Sequence, residues 1–361
     1  MDITLPQLLQ YQTNQNASDL HIASGSPPRI RLDGQLLPIK MDPLTPQQSM
    51  ELCYSILTEE QKKVFEKNKE IDLAFTIEGV ARFRANIFLD SQYVAGAFRL
   101  IPAKIYSLQE LALPPLMQEL CALPRGLVLV TGPTGSGKST SLAAMIDHIN
   151  QHRYEHIVTI EDPVEFVHKH KNCMINQREI GQDTESFSRA LKSVLRQDPD
   201  VVLIGEMRDL ETVRAAITTA ETGHLVFATL HTNNCVSSLN RIIDVFPPHQ
   251  QEQIRTQLSM NLEAVISQIL LPAKGGGRVM AMEIMRANSA IRALITEGKF
   301  TQIYSAMQTG QADSHMQTMN QALYRLVEQR YIDKDLALEK SSKKDELNEM
   351  LLKRNANRRA R

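Results

Sequence analysis

A nine-residue, glycine-rich segment constrains the fold of this chain more than any other feature. Residues 132–140 read Gly-Pro-Thr-Gly-Ser-Gly-Lys-Ser-Thr and fit the pattern G-x-x-x-x-G-K-[ST]. The apolar run Leu127–Val130 before it predicts a buried strand, and Ser141–Ile149 after it predicts an amphipathic helix. Strand, glycine-rich loop and helix together predict a domain built on a parallel sheet.

The residue types in this segment, called here the P-loop, suit a phosphate group. Glycines let backbone N–H groups converge on phosphate oxygens, and the start of the helix adds positive partial charge. Lys138 is expected to reach the β- and γ-phosphates of ATP, and Ser139 is expected to coordinate Mg²⁺. The alternative is a glycine-rich turn before a helix. The predicted nucleotide-binding residues of the loop are Gly132, Pro133, Thr134, Gly135, Ser136, Gly137, Lys138, Ser139 and Thr140.

Charge and composition narrow the function classes. The net charge is −1, so the chain as a whole has no electrostatic attraction to nucleic acid or to a membrane surface. Residues 340–361 differ, because they hold eight basic and three acidic side chains. This basic tail is either a solvated terminus or a patch for an acidic partner or anionic lipid. Elsewhere no basic stripe alternates with aromatic residues, so no nucleic-acid partner is predicted.

Cysteine spacing and hydropathy predict a cytoplasmic protein without a zinc site. No two cysteines form a C-x-x-C pair, and their wide spacing is typical of reduced thiols. No apolar run approaches the roughly 18 residues that a membrane span requires, so any membrane attachment is expected to go through a partner. The cysteines are Cys53, Cys121, Cys173 and Cys235.

The first hundred residues predict a small α+β domain. Asp33-Gly34 favours a hairpin turn because glycine readily adopts positive φ, and Thr45–Lys69 has the periodicity of a helix. Prolines at 102, 114 and 115 indicate a linker after this domain. The other predicted elements are a helix over Leu5–Gln15, hairpin strands over Ile30–Leu32 and Gln35–Ile39, and antiparallel strands over Asp72–Ile77, Ala81–Leu89 and Tyr93–Ile101.

From Pro124 onward strands alternate with helices, which predicts a parallel sheet. In such a sheet the carboxyl ends of the strands meet at one edge, so we expect the P-loop, Glu161, Glu206 and His231 to line one crevice. After Asp244 the pattern is mostly helical, with glycines 275–277 forming a loop between two short strands. The four predicted parallel strands are Leu127–Val130, Ile157–Ile160, Val201–Ile204 and Leu225–Leu230.

Two glutamates at strand ends are the candidates for handling metal and water. Glu206 is favoured as the residue that polarises the attacking water, and Glu161 as the residue that orients Mg²⁺ and its waters. The predicted metal site therefore comprises Ser139, Glu161 and Glu206. Alternatively, strand-end acids such as Asp162 and Glu165 cap a helix or a turn, and Asp162-Pro163 has the pattern of a helix start.

Histidines and arginines complete the candidates. His231 lies at the ligand edge and is a candidate sensor of the γ-phosphate, whereas His224 lies at the other end of its strand, where a subunit contact is conceivable. Each is alternatively a structural hydrogen-bonding residue. Arg82, Arg84 and Arg99 lie on strands of the first domain and form either a solvated face or a phosphate contact across a boundary. Arg196 is a second candidate of this kind, and Arg208 is able to pair with Asp209.

Several segments resemble those of a known family. Residues 159–166 resemble the Asp box of secretion-type hexameric ATPases, residues 203–212 resemble their atypical Walker B segment, and residues 221–232 resemble their His box. Within that superfamily the chain is similar to the PilT-type retraction ATPases of type IV pili from about residue 3 to 335. The closer match lies at residues 18–21, 82–84, 290–295 and 316–319.

The resemblance implies a fold, an activity and partners. The implied fold is a PAS-like α+β domain (1–101), a linker (102–115), and a RecA-like P-loop ATPase domain (116–339) with a mostly parallel sheet and a helical C-terminal part, before the basic tail (340–361). The implied function is that of a homo-hexameric ATPase that retracts and disassembles pili for twitching motility, located in the cytoplasm against an inner-membrane pilus platform protein. A paralogous retraction ATPase is a further candidate partner. The arginines that match phosphate-contacting residues of the family are Arg84, Arg99 and Arg196.

Other functions remain open at this stage. An accessory retraction ATPase of the PilU type is the first alternative. A pilus-assembly or type II secretion ATPase is less favoured, because the longer N-terminal region and the four-cysteine zinc insert typical of that group are absent from this sequence. A scaffold with vestigial hydrolysis is disfavoured by the presence of Lys138, Ser139, Glu161 and Glu206.

Overall fold

The computed structural model describes residues 3–32, 34–101, 104–309 and 315–359, with side chains described as far as residue 353. It divides into two compact units, each built on its own sheet. The first unit comprises Met1–Ile105 and Pro163–Val167, and the second comprises Tyr106–Asp162 and His168–Arg361. The predicted combination of an α+β and an α/β domain is confirmed.

The first unit contains an antiparallel sheet of six strands among the described residues, in the order β3-β2-β1-β6-β5-β4. Phe83 and Phe98 are fully buried in its core beside Leu20. The predicted hairpin is present as β2 and β3, although Asp33 of its turn lies outside the described residues. The elements are α1 Leu5–Asn14, β1 Asp19–Ile22, β2 Arg29–Leu32, β3 Gln35–Pro38, α2 Pro46–Tyr54, α3 Glu59–Asn68, β4 Glu70–Ile77, β5 Ala81–Asp90 and β6 Tyr93–Ile101.

The single helix predicted over Thr45–Lys69 is two helices, so that prediction was wrong. Thr58 begins the second helix: its hydroxyl accepts a hydrogen bond from the N–H of Gln61 (3.3 Å), and the Gln61 side chain accepts one from the N–H of Thr58 (3.0 Å). This reciprocal capping satisfies two backbone N–H groups that have no partner at the start of a helix. The T-x-x-Q pattern at 58–61 was the sequence signal for the break.

The second unit contains a mostly parallel sheet of seven strands within the described chain, in the order β13-β12-β7-β11-β10-β8-β9. Every neighbouring pair is parallel except β12 with β13. The strands are β7 Gly126–Thr131, β8 His156–Glu161, β9 Met174–Glu179, β10 Val201–Ile204, β11 Leu225–Leu230, β12 Leu262–Pro272 and β13 Arg278–Arg286. The helices are α4 Leu116–Cys121, α5 Lys138–His152, α6 Phe187–Val194, α7 Leu210–Glu221, α8 Cys235–Asp244, α9 Pro248–Asn261, α10 Ser289–Thr296, α11 Phe300–Thr309, α12 Met319–Glu328, α13 Lys334–Lys340 and α14 Lys344–Arg359.

Both faces of this sheet are buried, which explains why its central strands are continuously apolar. Leu127 and Leu129 of β7 pack into a cluster with α6, α7 and α8, whereas Val128 and Val130 pack into a second cluster with α4 and α5. The four predicted parallel strands all lie in this sheet, and their carboxyl ends are adjacent.

Three further strands differ from the prediction. Met174–Glu179 was missed because four of its six residues are polar; it is an edge strand that gains its structure by pairing with β8. The two strands around glycines 275–277 were expected to be short but run over eleven and nine residues. β12 packs Val265 into the cluster on one face of the sheet and Ile266 into the cluster on the other, and such an apolar run is hard to distinguish from a helix by periodicity.

The predicted linker and tail are partly packed. Leu108 is buried in the same cluster as Leu116, whereas residues 102 and 103 lie outside the described residues. Leu347 and Leu351 of α14 are buried against α12 and α13, so this part of the basic tail is an ordered helix rather than a solvated terminus. Residues 360 and 361 lie outside the described residues.

Candidate nucleotide-binding site

The P-loop connects the end of β7 to the start of α5, and its glycines are required by its geometry. Gly132 has φ +142°, and a Cβ there would lie 2.3 Å from the carbonyl oxygen of Gln268 and 2.6 Å from Ser136 Oγ. Gly137 has φ +88° where α5 begins. A side chain at Gly132 would overlap a backbone atom of Gln268, so only glycine fits.

Lys138 lies at the first turn of α5 with its ammonium folded over the loop. Its Nζ donates hydrogen bonds to the carbonyl oxygens of Gly132 (2.7 Å) and Pro133 (3.0 Å). The side chain is 9% exposed, so its positive charge is concentrated in a poorly hydrated position beside the helix N-terminus. This arrangement is suited to binding a polyphosphate.

The register of the parallel sheet brings four chain segments to the same edge. Ile204 pairs with Ile160 on one side and with Ala228 on the other. Beyond the strand ends, the N–H of Gly205 donates to the carbonyl of Ile160 (2.7 Å). The N–H of Gly132 likewise donates to the carbonyl of Leu230 (3.3 Å). The P-loop and the residues that follow β8, β10 and β11 therefore lie along one edge.

Glu206 follows β10 and lies between two basic side chains. Its Oε2 is 2.7 Å from Nη2 of Arg208 and 3.3 Å from Nε2 of His231, and its side chain is 19% exposed. Burial alone would raise the pKa of Glu206, but the hydrogen bond from Arg208 and the charges of His231 and Arg208 outweigh burial and lower the pKa. Glu206 is therefore a carboxylate at neutral pH, the form that a general base needs.

Arg208 does not form the pairing with Asp209 that the sequence allowed. Arg208 pairs with Glu206, whereas Asp209 caps α7 by accepting a hydrogen bond from the N–H of Thr212 (2.9 Å). The cap satisfies a donor that the first turn of the helix leaves without a partner in its own ladder.

Glu161 is the last residue of β8 and lies beside the segment that carries Glu206. Its Oε1 accepts hydrogen bonds from Oγ1 of Thr159 (2.6 Å) and Nε2 of Gln177 (3.2 Å). A Cβ placed on Gly205 would lie 3.2 Å from the Cα of Glu161, so the two chain segments are in van der Waals proximity. Residues 162–171 as described contain no helix, so the prediction of a helix start at Asp162-Pro163 was wrong.

The two histidines of β11 lie at opposite ends of the strand, as expected. His231 contacts Glu206 at the carboxyl end. His224 precedes the strand at its amino end, where its Nδ1 lies 3.0 Å from the carbonyl of Thr219 and 3.1 Å from Oγ1 of Thr222. These contacts join the end of α7 to the start of β11, which is a structural role.

Two of the predicted arginines belong to the first unit and one belongs to the second. Arg84 and Arg99 are cross-strand partners on β5 and β6 of the first unit. Nη2 of Arg84 is 3.8 Å from Asp72, and Nε of Arg99 donates to Asp19 (2.8 Å).

Arg196 belongs to the second unit. It is exposed and follows α6, ahead of β10, whereas Glu206 follows β10. These two residues therefore lie toward opposite ends of that strand.

Three polar residues of the second unit escaped the sequence reasoning. Gln268 of β12 is fully buried and its Nε2 donates to the carbonyl of Ser136 in the P-loop (3.0 Å). Glu179 ends β9 beside Glu161 and is buried. Glu283 of β13 is buried and accepts hydrogen bonds from the N–H groups of Cys235 (2.7 Å) and Met319 (3.2 Å). For Gln268 and Glu283 the available signal was a polar residue inside a mostly apolar run, whereas Glu179 ends a polar strand and had no such signal.

The family model described as "Type II/IV secretion system protein" matches residues 2–328. The chain belongs to this family. Within the described part of the chain, no helix of this family member is both long and apolar enough to cross a bilayer.

Individual relatives match the family member over nearly its whole length. The type IV pilus retraction ATPase PilT of Pseudomonas aeruginosa is 50% identical over 94% of this chain and 98% of its own length. The type IV pilus ATPase PilU of the same organism is 40% identical over 96% of this chain and 90% of its own length. The crystal structure of the pilus retraction motor PilT with bound ADP has a TM-score of 0.91 and 49% identity, and the match covers 96% of this chain and 99% of that one. The predicted resemblance to retraction ATPases is confirmed.

Proposed function

We propose that this chain hydrolyses ATP and, as a homo-hexameric motor, powers the retraction of type IV pili. The main support for ATP hydrolysis is one edge of the parallel sheet. The P-loop, with Lys138 folded over it, and the carboxylate of Glu206 both lie along this edge. The pilus assignment is supported by 50% identity to a pilus retraction ATPase along almost the entire chain.

Each residue of the edge has a proposed role. The N–H groups of the P-loop and the ammonium of Lys138 hold the β- and γ-phosphates. Glu206 accepts a proton from a water whose oxygen attacks the γ-phosphorus, while the bond from that phosphorus to the bridging oxygen breaks and ADP leaves. His231, in contact with Glu206, reports the state of the γ-phosphate.

The residues also suit Mg²⁺, which neutralises phosphate charge when bound. Ser139, at the start of α5, offers a hydroxyl, and the strand-end carboxylates of Glu161 and Glu206 offer acceptors for the waters that Mg²⁺ retains. Arg84, Arg99 and Arg196 are proposed to contact phosphates in the assembled ring, where guanidinium groups bind phosphate with two parallel hydrogen bonds.

The proposed partners follow from the pilus assignment. Six copies form a ring on the cytoplasmic side of the inner membrane, where they act on the platform protein of the pilus machine. A paralogous retraction ATPase is a further proposed partner. The proposed domain organisation remains 1–101, 102–115, 116–339 and 340–361.

An accessory motor of the PilU type is the second candidate, because 40% identity extends over nearly the whole chain. The higher identity to PilT, over a similar share of the chain, favours the principal motor.

The test combines chemistry with imaging. Lys138→Ala is expected to abolish ATP hydrolysis by the purified protein while leaving ring assembly intact. Deletion of the gene is expected to leave long, unretracted pili, which the wild-type chain restores to normal and Lys138→Ala does not. Wild-type turnover by Lys138→Ala would contradict the role of the lysine. Cells without pili would indicate an assembly motor, and a defect seen only under load would indicate the accessory motor.

A further inference from the structure

Gln268 is a buried polar residue whose side-chain amide is only partly hydrogen-bonded. It lies in the middle of β12 and is fully buried, between the buried Ser267 and the apolar run that begins at Ile269. Its Oε1 is buried without a hydrogen-bond partner in the described structure, whereas its Nε2 donates to the carbonyl oxygen of Ser136 (3.0 Å). A buried amide that satisfies only one of its two ends is unfavourable for stability. Stability alone would therefore favour an apolar side chain at this position.

The carbonyl that Gln268 holds belongs to the peptide between Ser136 and Gly137. In a trans peptide the C=O and the N–H point in opposite directions. Because the carbonyl is directed toward β12, the N–H of Gly137 is directed away from β12. Gly137 is the residue just before α5, where the N–H groups of a P-loop meet a phosphate.

The same residue also supports the other end of the loop. The main-chain oxygen of Gln268 lies 2.3 Å from the position that a Cβ on Gly132 would take. At Gly137 the corresponding position lies 3.4 Å from Nε2 of Gln268. Backbone and side chain of one β12 residue therefore contact the first and the last glycine of the loop.

We propose that Gln268 is a positioning residue for ATP, which fixes the Ser136–Gly137 peptide so that the Gly137 N–H is aimed at the phosphates before nucleotide arrives. The proposal rests on the proposed ATPase function. Donors that are already oriented bind a charged group more tightly, since no reorganisation is required on binding. The residue acts through the loop and does not itself touch the substrate.

The test compares two matched amide-to-methionine substitutions in the full-length protein. Gln268→Met removes the amide and keeps the length of the side chain. Gln317→Met is the control, because Nε2 of Gln317 also donates to a backbone carbonyl, that of Met282 (2.9 Å), which is not part of the P-loop. Gln268→Glu is the second test variant, because it keeps the shape while replacing the donor with an acceptor.

The measured quantities are the Kd for ADP, kcat and KM for ATP, and the melting temperature. Gln268→Met is expected to raise the Kd for ADP and the KM for ATP about tenfold, the effect of losing one well-aimed hydrogen bond to a charged group, with a smaller change in kcat. Gln268→Glu is expected to raise them further, because its charge faces the Ser136 carbonyl and repels phosphate. Gln317→Met is expected to change the melting temperature but leave Kd and KM within twofold.

Several results would overturn the positioning role. It fails if Gln268→Met and Gln268→Glu bind ADP like the wild type, or if both fail to fold while Gln317→Met folds, because Gln268 would then serve stability alone. A wild-type protein that does not hydrolyse ATP but still loses ADP affinity on Gln268→Met would contradict the proposed function and support the positioning role.

Discussion

The two edges of the parallel sheet in the second unit differ in what their polar residues contact. At the carboxyl edge, Glu206 contacts the guanidinium of Arg208 and the imidazole of His231. At the amino edge, His156 contacts the carbonyl of Asp198 (3.0 Å) and the side chain of Asn176 (2.9 Å), and its N–H donates to Asp200 (2.9 Å).

The difference indicates that one edge of the sheet is structural and that the other is suited to binding a ligand. At the amino edge every one of these contacts has a backbone group or a side-chain amide on one side, so they stabilise the turns into the strands. Residues at the carboxyl edge form a charged set beside a helix N-terminus, where positive partial charge favours an anion. Function is therefore expected to be sensitive to changes at one edge and tolerant of changes at the other.

The largest expected effect comes from Glu206→Gln. The amide cannot accept a proton, so kcat for ATP hydrolysis is expected to fall about 10²–10⁴-fold while ATP binding is retained. The matched change at the amino edge is Asp200→Asn, which is expected to keep kcat within twofold. Steady-state hydrolysis and nucleotide titration measure both, and an unchanged rate in Glu206→Gln would transfer the role to Glu161.

Arg196→Ala tests whether the amino edge is free of function, because Arg196 lies toward the amino end of β10. If it contacts phosphate in the ring, its loss is expected to lower kcat/KM about 10–100-fold, the range for a hydrogen bond to a charged group. Wild-type kcat/KM in Arg196→Ala would instead make the amino edge purely structural. Size-exclusion chromatography with light scattering checks that the ring is intact.

The two histidines of β11 form a third, smaller test. His231→Asn removes a contact with the Glu206 carboxylate and is expected to lower kcat about tenfold. His224→Asn is expected to leave kcat within twofold and to lower the melting temperature by a few degrees, since it loses contacts to Thr219 and Thr222. Equal effects of the two substitutions on kcat would contradict the division between the edges.

The smallest expected effect at neutral pH comes from Arg208→Ala, and it is a shift in pH dependence. Arg208 helps to hold the pKa of Glu206 below its ordinary value, so removing it raises that pKa. Because the carboxylate form is required, the acid limb of the kcat/KM profile is expected to move to higher pH. Activity should therefore fall more at pH 6 than at pH 8, and a uniform loss across pH would contradict this assignment.

The carboxyl edge was predictable because apolar runs mark buried parallel strands and the residues after them must meet. That logic located the P-loop, Glu161, Glu206 and His231 along one side of the sheet. It missed β9, whose composition is polar, and it underestimated β12 and β13, whose extent is set by pairing with β7 and with each other.

Side-chain partners were less predictable than the edge itself. Arg208 is adjacent in sequence to Asp209 but pairs with Glu206, because the start of α7 uses Asp209 as its cap. Gln268 and Glu283 lie more than a hundred residues from the P-loop in sequence, and their contacts depend on the register of β12 and β13. Local patterns carry no information on such pairings.

The buried carboxylate of Glu283 has a mechanical consequence. One oxygen is shared with the beginning of α8, which follows the His231 segment, and the other with the beginning of α12 in the C-terminal helical part. Separating either helix from the sheet would leave one buried oxygen of Glu283 without its N–H donor. The free-energy cost of opening is therefore similar for the two helices. The beginnings of α8 and α12 are thereby linked through β13 into one cooperative unit, whose amide protons are expected to exchange together.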